Sequence, residues 1–182
     1  MRASGSALAL ALAALCAAPA SAQPVAEASL RAHVQAFYKW YGRILADDSS
    51  NASADIRAIR ARPSWFDPAL ARALEADEAA SARNPGEIVG LDWDPFTNAQ
   101  DVCRRYVVRG VRRSGAVAFA DVFCDDPNFD PADTRRAWVT AQLQFRSGHW
   151  VFVDFLDPNN HGEGLMHALA GLAEERRKDG EK

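Results

Sequence analysis

Four side chains in the second half of the chain could do chemistry together: Arg104, Tyr106, Asp121 and Asp154. Asp154 sits in the apolar run from Trp150 to Leu156, and Asp121 sits between Phe119 and Phe123. Burying a carboxylate among such neighbours raises its pKa unless a cation pairs with it, and Arg104 is the candidate cation. With Tyr106 as hydrogen-bond donor, Asp154 or Asp121 could serve as a general acid or base, and the same four residues could line a ligand pocket. The plainer alternative is a structural ion pair that closes a sheet over its helix, which leaves no catalytic residue at all.

These residues need strands to position them. Residues 102–156 read as two hairpins, each with a glycine where a tight reversal requires positive φ, one turning at Arg112 to Gly115 and the other at Ser147-Gly148. A four-residue first turn places Val111 opposite Ala116 and Cys103 opposite Cys124. Those are the only cysteines besides Cys16, so a cross-strand disulfide is predicted, closing a loop worth roughly 3 kcal/mol in the chain-entropy model. Strand alternation then puts Val102, Arg104, Tyr106 and Val108 on one face with Val117, Phe119, Asp121 and Phe123. In the second hairpin, Val139, Ala141, Leu143 and Phe145 share a face with Trp150, Phe152, Asp154 and Leu156.

Helices precede the sheet. Leu30, Val34, Phe37, Tyr38, Tyr41 and Leu45 repeat as one buried stripe, predicting a helix from Ser29 to Ala46 that lies across the sheet. A short helix is expected over Asp55 to Arg60. Asp67-Pro68 supplies an N-cap acid and a first-turn proline for a helix through about Arg83, before the turn signal Asn84-Pro85-Gly86. A last helix over Gly164 to Lys178 carries Leu165, Met166, Leu169 and Leu172 as its stripe. The fold class is α+β: N-terminal helices packed in a curved four-stranded antiparallel sheet, with a C-terminal helix.

Residues 1–22 read as a secretory signal peptide, with Arg2 before an apolar run and Ala20-Ser21-Ala22 as the cleavage site. Cys16 does not make it a lipoprotein leader, because Leu15 stands where a small residue is needed. Residues 23–28 form a short tail, 29–178 a single domain and 179–182 a disordered tail. Removing the leader takes away one charge, leaving 20 basic residues against 24 acidic. That mild acidity argues against nucleic acid as a partner, and no further stretch is apolar enough to span a membrane. A periplasmic or secreted protein of a Gram-negative bacterium is expected.

Signatures of the common nucleophiles and metals are missing: no G-x-S-x-G, H-E-x-x-H, C-x-x-C or phosphate-binding glycine loop occurs. Two acidic loops offer oxygen ligands, one through Asp92, Asp94, Asn98 and Asp101, the other through Asp125, Asp126, Asn128, Asp130 and Asp133. The second departs from an EF-hand at Pro131 and Ala137, so turns and caps are the expected use of both. In the first loop Trp93 and Phe96 are expected to plug the domain, with Asp94 and Asp101 bonding its backbone. No metal and no cofactor are expected.

Three motifs carry a resemblance: the F-Y-x-W-Y run at Phe37 to Tyr41, Asp94-Pro95-Phe96 followed by Gln100-Asp101, and G-x-W-x-x-x-D from Gly148 to Asp154. Together they resemble the bacterial envelope family called domain of unknown function 3828. That resemblance implies a nuclear transport factor 2-like, ketosteroid-isomerase-like cone, exported and without an established reaction. The leading functional expectation is a non-enzymatic envelope module that binds a small ligand, another envelope protein or a second copy of the chain as a homodimer. One alternative is a small-molecule enzyme using an acid/base aspartate in an apolar pocket. Another is an immunity or inhibitor protein that presents the acidic loop Asp125 to Asp133 to a secreted enzyme.

Overall fold

The computed structural model describes residues 22–180 apart from 48, 85, 87 and 88, with side chains from residue 27 onward. The expected leader, Cys16 included, lies outside these residues but for Ala22, as do residues 181 and 182 of the expected tail. Helix α1 (Ala22–Leu45) buries Leu30, Val34, Phe37, Tyr38 and Tyr41 to 1% exposure or less, the stripe that the periodicity predicts. It starts seven residues before Ser29, so the expected tail at 23–28 is helix instead. Alanine favours the helix there, and Pro24 falls in the first turn, where the missing N–H has no intrahelical acceptor to lose.

Helix α2 (Ala54–Ala61) and a 3-10 turn (Pro63–Trp65) lead into α3 (Pro68–Arg83). The α3 start is as predicted: Asp67 caps it by accepting from the Ala69 N–H, with Pro68 in the first turn. The sheet follows, with β1 (Tyr106–Ser114), β2 (Val117–Cys124), a short α4 (Pro131–Thr134), β3 (Val139–Arg146), β4 (His149–Asp157) and β5 (Glu163–Gly164). All neighbours are antiparallel in the order β1-β2-β3-β4-β5. The sheet therefore has five strands rather than the expected four. The fifth pairs only Gly164 with Leu156 and Glu163 with Asp157, too short to leave a periodic trace. Helix α5 (Leu165–Gly180) packs on α3 and β4, burying Leu165 and Leu169, and Arg176 pairs with Asp77 of α3 at 2.6 Å.

The expected faces change because two strands carry bulges. The first hairpin turns at Gly115-Ala116, pairing Ser114 with Val117, and β1 slips by one residue between Val108 and Gly110. Tyr106, not Cys103, then lies opposite Cys124, and both are buried. The disulfide still forms, with Cα atoms 5.8 Å apart, because Cys103 lies just outside the strand. Phe119, Asp121 and Phe123 take the opposite, half-exposed face. The second hairpin turns at Ser147-Gly148 as predicted, with φ of 49° and 85°. A bulge between its Gln142/Leu143 pairings leaves Val153 unpaired and brings Asp154 opposite Gln142. A one-residue insertion reverses every later side chain, so Phe155 joins Phe152 in the core while Asp154 and Leu156 leave it.

Aromatic rings fill the space between α1 and the sheet. Phe37 lies 4.7 Å from Phe152 and 5.3 Å from Tyr41, centroid to centroid, and Phe96 lies 4.6 Å from Phe155. Burying one such side chain contributes about 2–3 kcal/mol, before any ring-to-ring term. The edge strand β1 meets α1 differently. Gln35 donates to the Tyr106 carbonyl at 2.9 Å and accepts from the Val108 N–H at 3.0 Å, and Arg31 donates to the Val108 carbonyl at 2.5 Å.

Candidate functional site

The four residues singled out from the sequence do not converge. Arg104 is exposed, with Asp126 at 3.9 Å as its nearest carboxylate, so the expected pair with Asp154 is not made. Tyr106 lies in the core, where its hydroxyl accepts from the Cys103 N–H at 3.1 Å and burial pushes its pKa up to about 12. Asp121, on the other face, accepts from Arg112 at 2.8 Å and from the Thr140 hydroxyl at 2.7 Å. Its room comes from Gly110 directly opposite, where a Cβ would stand 2.6 Å from the carboxylate. Asp154 accepts from the N–H of Phe155 at 2.9 Å and of Met166 at 3.0 Å. Burial raises its pKa against those donors, and the carboxylate fastens the first turn of α5 to β4.

The most constrained polar cluster belongs to the loop after α3. Asp94 receives the Tyr41 hydroxyl, the N–H groups of Phe96 at 3.0 Å and Thr97 at 2.9 Å, and the Thr97 hydroxyl at 3.0 Å. Tyr38 donates to the Phe96 carbonyl at 2.6 Å, and Asn98 takes a φ of 54° to donate to the Trp138 carbonyl at 3.2 Å. Burial raises the Asp94 pKa and those donors oppose it. Phe96 is fully buried and plugs the core as expected, whereas Trp93 stays half-exposed and Asp101 exposed.

Three grooves meet at this loop. The first, about 430 Å³, lies between the loop and the start of α5, with Val139, Phe155 and Leu165 as its floor. The second, about 490 Å³, runs between the loop, α2 and α3 past Asp55 and Leu74, and shares Trp93, Pro95, Ala99 and Gln100 with the first. A third, about 330 Å³, extends past Asn98 to Phe129 and Trp138. No protein-family model, curated protein or solved structure matches this chain. The site is therefore read from its own geometry.

Asp55, at 7% exposure, lines the second groove from the first turn of α2. Desolvation is the main force on it, with Asp94 adding repulsion and the Ile56 backbone N–H opposing, and its pKa is raised to about 6. Among the described residues no group of three histidines, cysteines or carboxylates is placed to hold a metal. The loop between the hairpins spends its carboxylates internally. Asp125 pairs with Arg105, Asp126 accepts from Arg104 and Asn128, Asp130 caps α4, and Asp133 pairs with Arg136 at 2.6 Å.

Asp55 escaped the sequence reading because an acid in a first helical turn is ordinary helix chemistry. The spacing of Trp93, Asn98 and Gln100 did mark their loop, but α5 and β5, which complete the first groove, lie more than sixty residues further along the chain.

Proposed function

We propose that this chain is an exported, non-enzymatic binding module of nuclear transport factor 2-like architecture that holds a small ligand beside the Trp93 loop. The observation that carries the reading is the first groove. It combines an apolar floor with a rim of Asn98, Gln100, Asp157, Asn160 and Glu163, the mixture typical of small-ligand sites. Tyr106, Asp121 and Asp154, by contrast, are each committed to hydrogen bonds that hold the fold together. The paired cysteines suit an oxidising compartment, in keeping with the expected leader. The bulges in β1 and β4 are the devices that bend strands, which supports a sheet curved around α1 as a cone. The resemblance to the domain of unknown function 3828 family agrees with both. Among the described residues no helix is long and apolar enough to cross a membrane.

Native mass spectrometry of the protein purified from its own envelope fraction tests this reading. Ala168→Trp, which fills the groove from the half-exposed side of α5, should remove a co-purifying small molecule. An adduct retained unchanged by that variant would refute the location, and protein bare in both forms would count against a ligand-binding role.

One observation favours a second reading. Asp55 lines a groove as a buried carboxylate with a pKa near 6, the range in which a side chain can both give and take a proton at neutral pH. On that reading the enzyme's acid/base residue is Asp55 rather than Asp154 or Asp121. Activity-based screening of hydrolase and isomerase substrates with wild type and Asp55→Asn decides it, since a real activity must disappear in the variant.

A further inference from the structure

The hydrogen bonds around the first groove restrict what it can hold. Asn98 donates to the Trp138 carbonyl at 3.2 Å, Gln100 to the Asp92 carbonyl at 3.3 Å, and Asn160 to the Glu163 carboxylate at 2.5 Å. Carbonyl and carboxylate oxygens can only accept, so each amide nitrogen is fixed toward the protein and the amide orientation is not arbitrary. Each nitrogen keeps a second N–H, but it is turned with the nitrogen toward the protein, and among the described residues no side-chain hydrogen bond uses the amide oxygens. Asp157 and Glu163 add carboxylates to the same rim, and among the described residues no lysine, arginine or histidine lines this groove or the second one. The rim therefore presents acceptors and negative charge around an apolar floor, and Trp93, which lines the same groove, is of the residue type that best attracts a cation. An anionic ligand would meet repulsion and find no charged donor. A neutral one would leave Asp157 without a counter-charge and Glu163 with only the exposed His167 ring at 3.9 Å.

We infer that the groove between the Trp93 loop and α5 takes an organic ammonium ion: a protonated amine carried on an apolar body small enough for about 430 Å³. The inference rests on the reading of this groove as the ligand site. The ammonium supplies the donors that the amide oxygens and carboxylates lack, and the hydrocarbon covers Val139, Phe155 and Leu165.

The test titrates the mature protein with phenethylammonium, 2-phenylethanol and 3-phenylpropanoate, three probes of one shape and three charges, following chemical shifts of groove residues. The ammonium should bind, the alcohol about ten-fold more weakly, and the carboxylate not at all. Glu163→Gln and Asp157→Asn, which keep acceptor oxygens for their local partners, should each weaken ammonium binding by about two- to five-fold and flatten its salt dependence. Alcohol or carboxylate binding in the groove as tightly as the ammonium would overturn the ligand class while leaving the groove as a site. Ammonium binding unaffected by both variants would overturn the inference as well. Should none of the probes shift groove residues at millimolar concentration, the inference fails, and the co-purification experiment judges the binding role separately.

Discussion

Replacing Asp55 with Asn should stabilise the protein at neutral pH and expose a pH dependence that the wild type conceals. The folded pKa of Asp55, about 6, lies above the ordinary 3.8. Its stabilising contribution is therefore complete when both states are protonated, below about pH 4, and is lost as the pH rises through 6. At about 1.4 kcal/mol per pH unit, the loss amounts to about 3 kcal/mol at pH 7. Asn keeps the shape and an amide oxygen and carries no charge to desolvate, so Asp55→Asn should gain up to that amount at pH 7 and nothing at pH 4. His33 works in the opposite sense across the same window. Burial between Trp65 and Phe152, with His149 nearby, lowers its pKa from 6.5 to about 4, so its contribution is intact above 6.5 and disappears on acidification. In the wild type the two slopes offset each other. The variant loses the Asp55 slope and keeps those of His33 and the other shifted carboxylates, so its stability relative to wild type should fall steadily from pH 6.5 to 4. Urea unfolding midpoints at half-unit pH steps measure both curves. A gap between them that does not close on acidification, or a variant less stable than wild type at pH 7, would refute the argument.

Other consequences can be checked with single variants. Asp154→Ala should cost about 1 kcal/mol and speed amide exchange at Leu165 and Met166, because it removes the oxygen holding the first turn of α5. Reducing the Cys103–Cys124 bond, or replacing both residues with Ser, should lower stability by roughly 3 kcal/mol in chemical denaturation, given their sequence separation of 21. Gly110→Ala should cost about 1–3 kcal/mol by forcing the Asp121 carboxylate away from Arg112 and Thr140, and restoring space with Asp121→Ser should recover much of it.

How far the sequence reveals this molecule depends on the kind of signal each part carries. The α1 stripe from Leu30 to Tyr41 is a repeat of large apolar side chains, and the caps at Asp67-Pro68 and the turn at Ser147-Gly148 are local chemistry. All of these are legible within a few residues. The side of the sheet on which Tyr106, Asp121 and Asp154 lie depends on two single-residue bulges near Arg109 and Val153. A bulge leaves almost no local mark, yet it inverts the alternation for the rest of its strand. Gly110 was the one visible hint, since a glycine inside a strand often accompanies a close approach. The grooves were less legible still, because their walls come from the Trp93 loop, β4, β5 and α5, which only the tertiary fold brings together.

The contacts of Gln35 and Arg31 with β1 bear on how the chain reaches its native state. An outer strand ordinarily offers bare N–H and C=O groups to any passing chain, and here two side chains of a helix occupy those of Tyr106 and Val108 at the start of β1. That cover is lent by α1 and cannot exist until α1 has docked. A chain whose hairpins have closed before its long helix settles therefore exposes an open template for sheet growth. Docking of α1 then both completes the core and closes the first part of the β1 edge to another molecule.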